Sequence, residues 1–141
     1  MKRSKSNSSL KLISSLLGVV LLNAGLSQPV AAQSANGRIY AAEELTVNPS
    51  LASPRQAARI IQDSYPPQLQ RRGIGGSVRL QFVIESDGSV DKASIRVVAA
   101  TIRRLGEAAK QAVERVRFTP AEVDGHPVRT AIEFPVVYRT R

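Results

Sequence analysis

A change of hydrophobic period around two adjacent prolines constrains the fold of this chain most. Ser53 and Pro54 form a helix-start signature, with serine as the N-cap and proline at the first helical position. Tyr65-Pro66-Pro67 must end this helix of about ten residues, because the residue before a proline is pushed out of the helical region. A second helical turn over residues 68–72 follows, and Gly73 suits its left-handed C-cap.

After Gly75-Gly76 the period becomes two, which predicts a half-buried strand. The inner face would hold Val78, Leu80, Phe82 and Ile84, and the outer face Ser77, Arg79, Gln81 and Glu85. The turn sequence 86–89 contains Gly88, which can take positive φ. Alternation then resumes from Ala93 to Ala99, so the pattern predicts an antiparallel hairpin.

The last third of the chain predicts one more helix and one more strand. Thr101 is the expected N-cap, and an apolar helix face follows at Leu105, Ala108, Ala109, Ala112, Val113 and Val116. After the Asp124-Gly125 turn, inward residues alternate from Val128 to Tyr138. Pro135 lacks a backbone donor, which favours a sheet edge for this strand. The expected fold class is α+β, a small three-stranded antiparallel sheet with two helices on one face.

The N-terminal residues have the outline of a secretion signal. Basic residues precede a short apolar run over residues 12–22, and the small residues before Gln33 suit a peptidase site after Ala32. We therefore expect a signal peptide over 1–32, a flexible linker over 33–53 with a short strand or turn near Ile39, and a domain over 54–141. Retention of residues 10–26 as a single-span anchor is the alternative.

Charge and cysteine content limit the possible binding partners and the ways in which the fold can be stabilised. Of 20 basic and 11 acidic residues, four basic ones precede residue 33, so the exported chain carries 16 minus 11, or +5. The basic residues are scattered among acids without interleaved aromatics, which argues against nucleic acid. There is no Cys, so a predicted periplasmic fold would depend on its core alone.

No pattern predicts an enzyme, a cofactor or a metal site. The single histidine, His126, precedes a proline in a turn and has no second His or Cys to share a metal. The glycines at 73, 75 and 76 lead into a strand, whereas a phosphate-binding loop opens a helix. Asp87, Asp91 and Asp124 lie in or beside turns, where Asp bonds its own backbone.

Taken in order, these elements resemble the C-terminal domain of the TonB energy-transducer family over about residues 54–139. The resemblance rests on Tyr65-Pro66, the Gly75-Gly76 lead into "VRLQFVIESDGSVDKASI", the helix "LGEAAKQAVERVRFTP" and the closing amphipathic strand. It implies that the first strand is central, the last lies at an edge, and an extended peptide from an outer-membrane receptor binds there.

Carried over to this sequence, the resemblance implies a peptide-binding set. Its members are Gln62, Tyr65, Pro66, Arg129, Ala131, Glu133, Pro135, Val137 and Arg139. An open edge offers backbone groups that a partner strand can complete. Two alternatives stay open: Pro135 and the charged residues guard the edge against pairing, and Tyr65 packs only as a structural residue.

The chain also departs from full-length transducers, since His126 is its only histidine and the 33–53 segment is not proline-rich. We therefore expect a periplasmic protein-binding module that works by strand addition. The alternatives are a short membrane-anchored energy transducer for outer-membrane receptor transport, and a self-associating envelope protein whose edges pair in a homodimer.

Overall fold

The computed structural model describes residues 37–140. Its strands are β1 (Ile39–Tyr40), β2 (Ser50–Leu51), β3 (Gly76–Ile84), β4 (Arg96–Ala100), β5 (Phe118–Thr119), β6 (Ala121–Val123) and β7 (His126–Tyr138). Its α-helices are α1 (Pro54–Asp63), α2 (Pro67–Arg71) and α3 (Arg103–Val113), and short 3-10 turns cover Ala42–Glu44 and Lys92–Ser94. The α+β class predicted from the sequence is confirmed.

The two N-terminal helices begin and end where the sequence predicts. The Ser53 hydroxyl accepts the Gln56 N–H at 3.4 Å and Pro54 is the first residue of α1. After α2, Gly73 has φ +65° and the Ile74 N–H donates to the Leu69 carbonyl at 2.9 Å. This bond closes a left-handed helix ending, which redirects the chain into β3.

The start of α3 differs from the expectation. Ile102, not Thr101, is the N-cap, and it makes no side-chain cap bond. The Thr101 hydroxyl instead donates to the Ser77 carbonyl at 3.2 Å, and the Ser77 N–H donates to it at 3.1 Å. The Thr101 side chain therefore bonds to the backbone of β3 and does not cap α3.

The main sheet has the order β1, β7, β3, β4, and β6 also pairs with β7. β3 is central, as expected, and is antiparallel to β7 from Gly76↔Tyr138 to Ile84↔Thr130. β4 begins at Arg96 rather than Ala93, because a 3-10 turn occupies residues 92–94. Its pairing with β3 shifts between Arg79 and Leu80, so Val98 is bulged out of register.

The strand count is higher than the three predicted. β1 and β6 extend the main sheet to five strands, and β2 pairs with β5 in a separate two-stranded sheet. The described part of the 33–53 segment differs from a flexible linker, since it supplies β1, β2 and a 3-10 turn to the domain. Strands of two residues are too short to show a period, so alternation could not identify them.

The core lies between the helices and one face of the sheet. Leu80, Phe82 and Ile84 of β3 are fully buried, and Leu105 and Val113 of α3 pack against them. Burying each such side chain stabilises the fold by about 1.5–3 kcal/mol. Gly106 lets α3 approach β4, since a Cβ there would lie 3.2 Å from Val97 Cγ1.

No helix within residues 37–140 has the length and apolar character needed to cross a membrane. The predicted signal peptide, its cleavage point and the alternative anchor lie outside the described residues.

Candidate functional site: the outer edge of β7

The two sides of β7 face different surroundings, and backbone alternation shows which groups face which side. On β3, the Ser77 and Val83 carbonyls accept hydrogen bonds at 2.9 Å from Thr101 and Asp91, on the β4 side. The N–H and C=O of a strand residue point to one side and alternate along the strand. The backbone N–H and C=O groups of even-numbered β3 residues therefore point toward β7. The β7 residues paired with them are also even-numbered, and their backbone groups point toward β3. The odd-numbered residues of β7 direct their backbone groups to the opposite side, here called the outer edge.

β1 covers the beginning of this outer edge. It runs parallel to β7, with Ile39 opposite Arg129 and Tyr40 opposite Thr130. The Thr130 hydroxyl donates to the Tyr40 carbonyl at 2.9 Å. The chain then leaves the sheet in the 3-10 turn, where the Ala41 N–H donates to Glu44 Oε2 at 2.9 Å. Among residues 37–140, no strand pairs with the outer edge beyond this point.

Arg129 stabilises the covered part of the edge. Its Nε and Nη2 donate to both carboxylate oxygens of Glu85 at 2.8 and 2.9 Å, and Asp91 Oδ2 lies 3.5 Å from Nη2. Its Nη1 donates to the Gly37 carbonyl at 3.3 Å. With its donors used inside the domain, Arg129 positions β1 and offers little to a partner's side chain.

The open stretch of the outer edge consists of Glu133, Pro135 and Val137. Their three carbonyls face outward, together with two N–H groups, since Pro135 has none. Glu133 forms an exposed ion pair with Arg79 at 3.3 Å, and Val137 is 53% exposed. Ala131 and Arg139, which flank this stretch, are also exposed. The sequence-derived residues of β7 thus lie along one edge.

The other three residues of the predicted set lie elsewhere. Tyr65 is only 3% exposed, and its hydroxyl donates to the Ile74 carbonyl at 3.0 Å. Gln62 is exposed on α1 and Pro66 is half-buried. Tyr65 is therefore packed inside the domain, and its part in peptide binding stays a prediction.

Tyr138 is the residue through which Tyr65 supports β7. The two rings lie 5.1 Å apart between centroids, and the Tyr138 hydroxyl is 2.8 Å from Ser64 Oγ. Burial raises the pKa of Tyr138, and the Ser64 hydrogen bond opposes part of that rise. The contact between the end of α1 and the end of β7 holds the last strand against the helices.

The remaining polar residues singled out in the sequence serve the turns. Asp87 accepts the Ser89 N–H at 2.8 Å, and the Ser89 hydroxyl and amide lower the pKa of its carboxyl. His126 is exposed at the start of β7. In the part of the chain that the structure describes, no three His, Asp or Glu side chains gather as a metal site would require.

The sequence predicts a short strand or turn near Ile39 but does not predict that it pairs with β7 and covers the edge. Ile39 and Tyr40 were the only signal, an apolar and an aromatic residue between a turn sequence and two alanines. Arg38 stacks over the Tyr40 ring at 4.4 Å from its centroid and pairs with Glu44. These contacts join residues whose sequence neighbours show no period, so only the folded chain reveals them.

Sequence comparison relates this chain to a known protein family. Residues 61–140 match the family described as Gram-negative bacterial TonB protein C-terminal. The chain is 28% identical over 113 residues to Protein TonB of Vibrio cholerae, covering 80% of this chain and 43% of that relative. It thus spans less than half of that relative's length.

Similar solved structures include two that are at least 30% identical to this chain. The TonB C-terminal domain of Pseudomonas aeruginosa is 32% identical, with a TM-score of 0.41. The match covers 55% of this chain and 79% of the Pseudomonas aeruginosa chain. The TonB2 protein of Vibrio anguillarum is 30% identical, with a TM-score of 0.42. The match covers 55% of this chain and 73% of the Vibrio anguillarum chain. The family match by itself spans more than half of the sequence, and the chain therefore belongs to the TonB C-terminal domain family.

Proposed function

We propose that this protein is a periplasmic protein-binding module that receives an extended peptide at the outer edge of β7. The observation that carries the proposal is the open stretch of Glu133, Pro135 and Val137, whose backbone groups point away from β3. A partner strand gains main-chain hydrogen bonds by adding to such an edge. Family membership supports a partner in the cell envelope, such as a segment of an outer-membrane receptor.

The opposite edge of the sheet is less suited to strand addition. β4 has only five residues, and its bulge at Val98 breaks the regular spacing of backbone groups. Bulges on edge strands discourage pairing. β7 is regularly paired with β3 over nine positions, so its other side presents evenly spaced groups. Pro135 removes one donor from this edge and so limits, without abolishing, what can add to it.

The test is a titration of the chain without residues 1–32, followed by amide shifts in NMR. The probes are extended peptides taken from periplasm-facing segments of outer-membrane receptors. We expect shifts along residues 131–139 and little change in β4. Shifts confined to other surfaces would contradict the proposal.

Two substitutions change the donors of the edge in opposite directions. Val137→Pro removes an outward N–H and is expected to weaken peptide binding, whereas Pro135→Ala adds one and is expected to strengthen it. Each hydrogen bond contributes about 0.5–1.5 kcal/mol, or about twofold to twelvefold in affinity. The pair controls for altered folding, because a merely damaged domain would lose affinity in both variants.

Self-association and energy transduction are separated by other measurements. A homodimer formed through sheet edges predicts a concentration-dependent mass in sedimentation, and Pro135→Ala should increase it. A short transducer predicts that deleting this chain abolishes receptor-driven uptake. Normal uptake in the deletion strain, with peptide binding retained, would support a binding module without a transport role.

A further inference from the structure

A groove lies between β4 and the first two turns of α3. Its volume is about 300 Å³. We call it the α3–β4 groove and define it by the residues that line it: Val97, Val98, Ala100, Arg103, Gly106 and Glu107. β4 ends the main sheet on this side, since the strand order is β1, β7, β3, β4. The groove and the outer edge of β7 are therefore separate surfaces.

The floor of the groove is apolar because α3 comes close to β4 at a glycine. A Cβ at Gly106 would lie 3.2 Å from Val97 Cγ1 and 3.3 Å from Ala100 Cβ, so a larger residue there would push the helix away. Val97 and Val98 remain 41% and 49% exposed beside it. Two neighbouring exposed valines favour association with a surface that removes them from water.

Two opposite charges flank these valines on α3. Arg103 and Glu107 are both exposed, and they lie one helical turn apart, about 6 Å along the axis. The ion pairs among residues 37–140 join other side chains. Within that part of the chain, neither charge has an ionic partner.

The two charges do little for α3 itself. Arg103 is the first residue of the helix, where the helix dipole disfavours a cation. An arginine four residues before a glutamate is also the weaker order for an ion pair along a helix. A contact with another molecule therefore accounts for these charges better than the stability of the helix does.

The order of the charges makes the groove complementary to a second copy of itself. In a two-fold dimer the same surface of each copy is used, and every contact occurs twice. An axis that crosses α3 midway between Arg103 and Glu107 sets the arginine of each copy opposite the glutamate of the other. The same axis brings the exposed valines of the two copies together. One symmetry operation thus pairs both charges and covers the apolar floor.

We propose that two copies of this protein associate through their α3–β4 grooves, with Arg103 and Glu107 paired reciprocally across a two-fold axis. The contact uses side chains rather than strand pairing, so it differs from a dimer formed through sheet edges. It leaves the outer edge of β7 free in each copy. The inference therefore goes beyond the proposed function and does not depend on it. Such a dimer would bind a partner with two pairing segments more tightly than a partner with one.

Charge reversals test the reciprocal pairing by sedimentation of the chain without residues 1–32, the form expected after cleavage. We expect the mass of the unmodified chain to rise toward that of a dimer between about 10 µM and 1 mM, because small interfaces form weak dimers. Arg103→Glu and Glu107→Arg each turn two attractive contacts into two repulsive ones. Each variant alone should dimerise at least about tenfold more weakly.

An equimolar mixture of the two variants separates contacts between copies from effects within one copy. In the mixed pair, the reversed position 103 of one copy faces the reversed position 107 of the other, so both contacts are attractive again. We expect the mixture to recover the dimer affinity of the unmodified chain within about threefold. Damage to α3 would persist in the mixture, because each chain would still carry it.

Matched controls carry the same changes of charge at exposed positions outside the groove. Arg55→Glu alters the first turn of α1, and Glu43→Arg alters the 3-10 turn that precedes β2. Neither should change the dissociation constant of the dimer. Val98→Ser tests the apolar part of the contact without changing any charge, and it should weaken the dimer about tenfold.

Three outcomes would overturn the inference. The first is a strictly monomeric chain at about 1 mM, and the second is a pair of reversed variants that stay monomeric when mixed. The third is a dimer that ignores both reversals but strengthens with Pro135→Ala, since that dimer would be paired through the edge of β7. Peptide binding to the outer edge is measured separately, so none of these results decides the proposed function.

Discussion

Gly88 and Gly125 have nearly the same backbone conformation in different surroundings. Their φ angles are +84° and +79°, but a Cβ at Gly88 would lie 2.0 Å from the Phe118 carbonyl oxygen, while nothing lies within 4 Å of one at Gly125. The turn that contains Gly88 is packed against β5, where the Phe118 N–H donates to the Gly88 carbonyl at 2.9 Å. The identical φ requirement is visible in the sequence as two Asp-Gly turns, whereas the difference in packing is not.

Substituting each glycine by alanine should therefore have unequal effects. We expect Gly125→Ala to lower the free energy of unfolding by about 1 kcal/mol, from the positive φ alone. Gly88→Ala should lower it by about 3 kcal/mol or more, because the backbone must also shift. Urea unfolding of the two variants measures the difference, and equal losses would contradict the close packing of the first turn.

Tyr138 gives the domain a defined alkaline sensitivity. Its pKa is raised by burial, so the folded state favours the neutral hydroxyl. The resulting stability is fully present below the unfolded pKa of about 10 and is lost as the pH rises through the folded value. We expect Tyr138→Phe to cost about 1 kcal/mol near neutral pH, by losing the Ser64 hydrogen bond.

The variant should also reduce the loss of stability as the pH rises above about 10. Urea unfolding at a series of pH values would show this as a shallower decline than in the unmodified chain. An identical decline in both proteins would mean that other groups govern the alkaline response.

At the scale of elements, β1 is the feature with the clearest dynamic consequence. Its two residues bond to β7 from outside, and odd-numbered residues of β7 face it. A chain that begins at Leu45 would lack β1 and the 3-10 turn but keep the Thr46 and Val47 bonds to Glu122. We expect it to fold, since no residue of the hydrophobic core cluster precedes Leu51.

In that shortened chain the Ala131 amide should exchange with solvent faster than in the longer one. The Ile132 amide faces β3 and should keep its protection, which makes it the internal control. Hydrogen exchange followed by NMR resolves both positions. An unchanged Ala131 amide would contradict the pairing of β1 with the outer edge.

The elements also show where sequence patterns fail. The helices α1 and α2 have a serine cap, prolines and a left-handed glycine at their ends, and their bounds follow from local chemistry. β4 was expected from Ala93, because Ala93, Ile95, Val97 and Ala99 alternate. The structure starts it at Arg96, since Asp91 caps a 3-10 turn through the Ala93 N–H at 3.1 Å. Alternation cannot detect a bulge or a turn that keeps the same residues apolar.

For the whole molecule, the predicted cleavage point decides whether the exported chain keeps β1, the strand that covers the beginning of the outer edge of β7. The predicted cleavage after Ala32 leaves residues 33–38 ahead of β1, so the exported chain would retain it. We expect the protein from a periplasmic fraction to have the intact mass of a chain beginning at Gln33. Ala32→Leu should block cleavage, because the peptidase needs a small residue there.

A full-length mass in the membrane fraction of the unmodified protein would support the anchored alternative. Fractionation with a known periplasmic protein and a known inner-membrane protein provides the controls. This prediction is independent of peptide binding, since the outer edge lies within residues 129–137.

The sequence by itself determined the ends of α1 and α2, the central strand, the buried face of β7 and the family, because caps, prolines and alternating periods act between near neighbours. Only the tertiary structure decided which part of the outer edge is open. That depends on Arg129, which joins Glu85, Asp91 and Gly37, and on β1, which meets β7 from about ninety residues away. Such contacts follow from the folded path of the chain, and no local pattern encodes them.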